Sequence, residues 1–129
     1  KKYPPMKDGV AYLRQPANRP QWDARGQADP HVYYWYYAGH VLHNMGGKPW
    51  EDWYKDVSAM IVTHQSKSSK RDRDTRGSWD PKDAKGVYYG YAKTGGRLYI
   101  TTMCLLVLEM PFRHQSLYAL SEGNNTKEP

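Results

Sequence analysis

The chain has 129 residues, enough for about one domain with one modest core. Only 39% of the residues are hydrophobic, the mean hydropathy is -0.94, and no run of about 18 apolar residues occurs, which argues against a membrane-spanning helix. The net charge of +6 is compatible with anionic partners. The basic residues, however, concentrate in 67–76, where Asp72 and Asp74 dilute them. We therefore favour a solvated loop over a phosphate-contacting one and disfavour nucleic acid as a partner.

The single cysteine, Cys104, lies within an apolar run. One thiol excludes a disulfide within the chain, and a small buried hydrophobe is favoured over a nucleophile. Cysteine usage therefore leaves the cellular compartment open. The chain begins Lys1-Lys2-Tyr3, with neither Met nor an apolar signal core, which predicts a mature product or a fragment.

The first two helices are predicted from their start and stop signals. A short helix is expected over 7–15, with Pro4 and Pro5 before it and Pro16 as its stop signal. A longer helix is expected over 30–45: Asp29 suits the N-cap, and Pro30 suits the first helical position, where its missing N–H would be unpaired anyway. Apolar and aromatic residues occur nearly all round this second helix, so we expect it to be buried on several sides.

A third helix is predicted over 49–65, because its apolar residues recur every three or four positions and its charged residues lie outside. Only the turn at Gly46 and Gly47 separates it from the second helix, which predicts an αα-hairpin. Residues 66–95 are expected to form a long irregular loop, a length typical of functional or partner-binding loops.

A fourth helix is predicted over 97–110, ended or kinked by Pro111. Its apolar density is the highest in the chain, so we expect it at the centre of the core. The whole chain is therefore predicted to be all-α, with one unit over 1–120 and a polar tail over 121–129.

A pattern of glutamine and tryptophan stands at the end of the third helix. An apolar helix end over 61–64 leads to Gln65, and a polar stretch then leads to Gly77-Ser78-Trp79. The pattern resembles the glutamine–tryptophan repeat of squalene-hopene cyclases, prenyltransferases and related α/α-toroid proteins, closest to uncharacterised bacterial members. A degenerate first copy runs over 9–15 and continues to Trp22. Tyr12 and Ile61 stand 49 residues apart, within the period of helical repeat arrays.

The resemblance implies a structural role for Gln65, Gly77 and Trp79. The glutamine amide would satisfy free backbone groups at a helix end. The indole would cover the amide and find an acceptor for its N–H. We expect Trp79 to be buried against the helix that leads to Gln65. With only about two hairpins, the chain would form antiparallel α-hairpins of an incomplete α/α toroid.

The chemistry of the family is not matched. The cyclases use an Asp-rich motif to protonate an alkene, and this chain has no Asp-x-Asp-Asp. The protein prenyltransferases hold zinc with Asp, Cys and His, whereas Cys104 lies mid-helix in an apolar run. We therefore expect no catalytic residue, metal or cofactor, and a noncatalytic repeat module that acts as a scaffold or interaction subunit, a segment of a larger protein or assembly. The alternative is part of a terpenoid cyclase-like or prenyltransferase-like enzyme that binds an apolar isoprenoid or similar substrate.

Five residues are candidates for ligand binding: Tyr34, Tyr37, His40, His43 and Arg97. The tyrosines could line an aromatic cavity, although packing between helices is favoured. The two histidines are three residues apart and could give two metal ligands, although structural hydrogen bonding is favoured. Arg97 stands at a predicted helix start, where a cation opposes the helix dipole, which favours a carboxylate partner, either Asp80 or an external group.

Partners are expected because the predicted core is incomplete. Two hairpins leave the flank of the 97–110 helix or of the helix containing 33–37 without cover, and soluble monomers rarely expose large apolar patches. A second copy, other protein chains or the missing remainder of the polypeptide would cover this surface. Tyr, Trp and Met would be the interface anchors.

Overall fold

The computed structural model describes residues 4–22, 32–67, 75–80 and 92–113. Its helices are α1 (Pro4–Leu13), a short 3-10 helix (Pro16–Asn18), α2 (Val32–Met45), α3 (Gly47–Thr63) and α4 (Ala92–Arg113). Within these ranges there is no strand, so the all-α prediction is confirmed. The predicted helix start at Asp29, most of the predicted loop and the polar tail lie outside the described residues.

The helix bounds differ from the predicted ones by a few residues. α1 already begins at Pro4, because a proline in the first turn lacks only an N–H that would be unpaired there. α4 begins at Ala92, so the predicted loop over 66–95 is too long at its end. Gly96 has non-helical backbone angles (φ 58, ψ -151), and the regular part of α4 starts at Arg97. Pro111 does not stop the helix, which continues to Arg113.

α2 and α3 lie side by side in opposite directions. They meet through Gly46 and Gly47, whose φ angles of 64° and 62° are in the region that favours glycine. Near this turn the ring of His43 lies edge-on against Trp50, with ring centroids 4.8 Å apart. At the opposite end Trp22 lies against both α2 and the end of α3.

α4 runs antiparallel to α3 and parallel to α2. The hydroxyl of Tyr54 on α3 donates to the carbonyl of Leu108 at 2.8 Å. Gly39 on α2 lies close to both α3 and α4: an added methyl group there would lie 2.6 Å from Met110 Sδ and 3.0 Å from Trp53. A side chain at position 39 would therefore require the side chain of Met110 to move.

α2, rather than α4, is the central helix, because it packs against α1, α3 and α4. The expectation that α4 would lie at the centre of the core is wrong. The apolar residues of α4 lie on two opposite faces, and only one of them enters the core. The core consists of Val10, Trp22, Val32, Trp35, Ala38, Leu42, Trp53, Val57, Ile61, Trp79, Ile100, Met103, Cys104, Val107 and Met110.

Candidate functional site

Gln65 and the segment 75–80 form a hydrogen-bonded unit that we call the clasp. The side-chain amide of Gln65 donates to the carbonyl of Gly77 at 2.8 Å, and the indole N–H of Trp79 donates to the carbonyl of Ile61 at 2.7 Å. Trp79 is fully buried. The predicted burial of Trp79 against α3 is therefore confirmed. The carbonyl of Ile61 belongs to the last turn of that helix, where carbonyls lack the regular intrahelical N–H donor four residues on.

The role expected of Gln65 is corrected by these contacts. Its amide does not bond a helix end but the carbonyl of Gly77 in the loop, and it is the indole of Trp79 that reaches the helix. Two backbone bonds hold the same loop: Ser66 N donates to Ser78 O at 2.8 Å, and Gly77 N donates to Ser66 O at 3.0 Å. Gly77 has φ 79°, which other residues rarely adopt.

α4 closes the other side of the clasp. The backbone N–H of Trp79 donates to Thr101 Oγ1 at 3.3 Å. The guanidinium of Arg97 donates to Ser78 Oγ at 2.9 Å and forms an ion pair with Asp80. Of the two carboxylate partners that the sequence left open for Arg97, the structure shows Asp80. Arg97 therefore fixes the loop to the start of the regular part of α4.

The degenerate first copy has a different arrangement. Gln15 is exposed, and the side-chain amide of Asn18 donates to the carbonyl of Tyr12 at 2.9 Å. Trp22 stacks on the ring of His64 at the end of α3, with centroids 4.5 Å apart, and lies 6.0 Å from Trp35. Its indole N–H finds no acceptor among the described residues. Within the described part of the chain, the indole of the first tryptophan is therefore held by ring packing.

The two copies nevertheless share one geometric feature. Tyr12 and Ile61 were aligned from the sequence, and each of their carbonyls accepts a side-chain N–H from the segment that follows the helix, from Asn18 and Trp79 respectively. Each carbonyl also accepts the backbone N–H three residues on, at 3.1 Å from Gln15 and 3.2 Å from His64. The same backbone position is thus capped twice by different side chains.

The candidate ligand residues of α2 do not form one site. Tyr34 is half-buried, its hydroxyl donates to the carbonyl of Asn18 at 3.2 Å, and burial raises the pKa of its phenol. His43 is buried against Trp50. Tyr37 and His40 belong instead to an outer cluster that we call the aromatic row: Tyr33, Tyr36, Tyr37 and His40.

The aromatic row is a continuous chain of ring contacts. The rings of Tyr33 and Tyr37 lie 4.7 Å apart and their hydroxyl oxygens 3.2 Å apart. Tyr36 is edge-on to both Tyr37 and His40. Tyr33 and Tyr37 are exposed, as is Val41 one turn later. α2 carries no Lys, Arg, Asp or Glu, so this outer face has no formal charge unless a histidine is protonated. The prediction that α2 is buried on several sides holds except for this face.

The outer face of α4 also exposes large apolar side chains. Leu98, Leu105 and Phe112 are 78%, 44% and 86% exposed. We call these three residues the outer stripe. The sequence predicted an uncovered flank on this helix or on the helix containing 33–37, without naming the residues. The seven-residue spacing of the outer stripe is visible in the sequence and is a signal for one helix face.

Charged side chains surround a small cavity near the start of α3. A cavity of about 90 Å³ lies there, with Trp53 in its wall and with Arg14, Arg19, Asp52 and Asp56 around it. Arg19 lies 3.8 Å from Asp56, and a hydrogen bond from Lys48 lowers the pKa of Asp52. The Arg19–Asp56 pair joins the segment that follows α1 to α3.

In the described ranges, no group of three or more His, Cys, Asp or Glu side chains is placed to hold a metal ion. Among the same residues, no helix combines the length and the apolar character needed to cross a membrane. Comparisons with protein-family models, with curated proteins and with solved structures gave no match.

Proposed function

We propose that this chain is a noncatalytic α-helical repeat module that acts as a scaffold or interaction subunit within a larger protein or assembly. The observation that supports it most directly is the pair of uncovered apolar faces, the aromatic row with Val41 on α2 and the outer stripe on α4. Exposed apolar faces of this kind mark contact surfaces in soluble proteins.

The repeat geometry supports the same proposal. The equivalent carbonyls of Tyr12 and Ile61 are capped from the segment that follows each helix, which is what a repeated helix-and-loop unit would produce. Repeat units bury their faces against neighbouring units, and about three or more are usually needed for a stable array. We therefore propose that α1 to α4 belong to an α/α toroid of the squalene-cyclase and prenyltransferase type that other helices complete.

The most reactive side chains of the described regions are engaged in structure. Arg97 is tied to Asp80 and Ser78. Cys104 is fully buried, and burial raises the pKa of its thiol to about 12, so that the thiolate needed for a nucleophile or a zinc ligand is scarce at neutral pH. These contacts favour a structural role over a catalytic one.

The native mass of the protein tests this proposal. The protein would be purified gently from the cells that produce it, and its mass measured by light scattering. We expect a species well above the 15.0 kDa of the single chain. A 15.0 kDa monomer that unfolds cooperatively and carries both apolar faces uncovered would contradict the proposal.

The aromatic row supports the alternative, an enzyme part that binds an apolar isoprenoid. Uncharged aromatic rings could contact such a chain and could stabilise a carbocation. Farnesol binding would be measured for the wild type, for Tyr37→Ala, and for Tyr12→Ala as a control that removes a tyrosine of similar exposure outside the row. The alternative predicts at least tenfold weaker binding for Tyr37→Ala only. The absence of saturable binding would exclude it.

A further inference from the structure

α4 has two apolar faces that point in opposite directions. Its buried face comprises Ile100, Met103, Cys104, Val107 and Met110. At about 100° per residue, Leu98, Leu105 and Phe112 fall within about 40° of one another, and the centre of the buried face lies roughly 180° from Leu98. The outer stripe therefore lies on the opposite side of the helix. A helix that is apolar on two faces is normally covered on both.

We propose that the outer stripe is the contact through which two copies of this chain pair, with α4 packed antiparallel on α4 and the two-fold axis at Leu105. This inference rests on the proposed function, because it names the partner of one of the two uncovered faces.

The spacing of the stripe makes it self-complementary. Leu98 and Phe112 each stand seven residues from Leu105, about 10 Å along the helix in either direction. A two-fold axis through Leu105 therefore places the two copies of Leu105 against each other. It also places Leu98 of each copy against Phe112 of the other. Contacts of this kind, in which one patch meets itself, are the commonest way in which identical chains associate.

The charges on α4 give an acidic partner no advantage and do not oppose a second copy. The chain carries a net charge of +6, which would oppose self-association through a basic surface. The charged residues of α4 from 97 onward are Arg97, Glu109 and Arg113. Arg97 is paired with Asp80, and Arg113 is paired with Glu109 at 3.0 Å. The part of α4 that carries the stripe is thus neutral overall, so the net charge of the chain does not repel a second copy there.

The exposed area predicts that the pair is weak. The exposed fractions of the three side chains correspond to roughly 400 Å² on each copy, since a large side chain presents about 200 Å². About 800 Å² in total lies below the range of stable interfaces and within that of transient ones. We expect a dissociation constant on the order of 10–100 µM.

Sedimentation equilibrium of the full 129-residue chain tests the pairing. We expect the mass to rise from 15.0 kDa towards twice that value as the concentration increases through the expected dissociation constant. Leu105→Glu should weaken association at least tenfold, because it places two carboxylates at the axis. Val41→Glu is the matched control: Val41 is 42% exposed and lies on α2. Far-UV circular dichroism would show that both variants keep the fold.

Cysteine cross-linking tests the orientation. An antiparallel pair predicts that Leu105→Cys cross-links to itself and that Leu98→Cys cross-links to Phe112→Cys in a mixture. Leu98→Cys alone should not cross-link. The wild type, oxidised in parallel, measures any reaction of the buried Cys104.

Three results would overturn the pairing and leave the proposed function intact. They are loss of association in Val41→Glu instead of Leu105→Glu, self-cross-linking of Leu98→Cys, and a folded monomer at all concentrations that enters a larger assembly in the cell. A folded monomer in the cell as well would refute both.

Discussion

The two copies of the glutamine–tryptophan pattern show how one sequence signal can lead to two kinds of attachment. In the second copy, Trp79 is buried and hydrogen-bonded to Ile61, while Gln65 holds the loop. In the first copy, Trp22 is buried as well, but its N–H finds no acceptor among the described residues, and Asn18 caps the helix instead. Burial of the indole is therefore common to both copies, whereas the hydrogen bonds are not.

The difference follows from where each tryptophan packs. Trp79 follows the helix that it caps and is fixed from the far side by Thr101 of α4. Trp22 instead crosses to the end of α3, where it stacks on His64 close to the second copy. The stacking of Trp22 on His64 therefore joins the two copies.

The largest expected effect comes from removing the second tryptophan. Trp79→Ala should lower the free energy of unfolding by about 3–5 kcal/mol, because it empties a fully buried site. It should also release the clasp, since the N–H to Ile61 is lost. Urea unfolding followed by far-UV circular dichroism measures the change. A loss below about 1 kcal/mol would mean that Trp79 is not part of the core.

Alanine at one glycine in each copy should act with opposite sign. Gly77→Ala should destabilise by about 1–2 kcal/mol, because φ is 79° there. Gly9→Ala should stabilise by up to about 1 kcal/mol, because Gly9 is helical and an added methyl group meets nothing within 4 Å. Thermal unfolding of the two variants gives both signs. Equal signs would show that one of the two backbone conformations is wrong.

Phenylalanine in place of each tryptophan isolates the hydrogen bond. Both changes remove the same atoms, but among contacts with described residues only Trp79→Phe loses an N–H bond, the one to Ile61. Trp79→Phe should therefore cost about 0.5–1.5 kcal/mol more than Trp22→Phe. The comparison uses urea unfolding under identical conditions. Equal costs would remove the energetic distinction between the two copies.

The smallest effects are expected from the two amide side chains. Gln65→Ala removes the hydrogen bond to Gly77, and Asn18→Ala removes the one to Tyr12 together with a longer one, 3.5 Å, to Gln15. Both positions are exposed or partly exposed. Each should cost about 0.5–1 kcal/mol. Hydrogen exchange would show where the loss falls: at the end of α1 for Asn18→Ala and around Ser66 and Ser78 for Gln65→Ala. A loss spread over all helices would contradict these local roles.

Much of the fold could be predicted from local signals. The four helices, the glycine turn at 46–47 and the burial of Trp79 follow from caps, periodicity and the glutamine–tryptophan pattern. The partner of Arg97 was also within reach, because a cation at a helix start favours a nearby carboxylate, and the structure shows Asp80 there.

The rest depends on contacts between distant parts of the chain. Periodicity shows that α4 is apolar, but not which of its two apolar faces the other helices cover. Composition could not show that the hydroxyl of Tyr34 bonds to the carbonyl of Asn18, whereas Tyr37 is exposed in the aromatic row. Nor could spacing show that His40 and His43 would contact different aromatic rings, Tyr36 and Trp50.

The central claim is that other protein covers the outer faces of α2 and α4 when the chain is at work. Leu105→Cys provides the most direct test, since its accessibility to a thiol reagent can be measured in the native assembly and in the isolated chain at a concentration where the chain is monomeric. Cys104 does not react with the reagent as long as the fold is intact, because it is fully buried and burial raises the pKa of its thiol to about 12. We predict that Leu105→Cys reacts at least tenfold more slowly in the assembly. Equal rates in the two states would contradict the claim for α4.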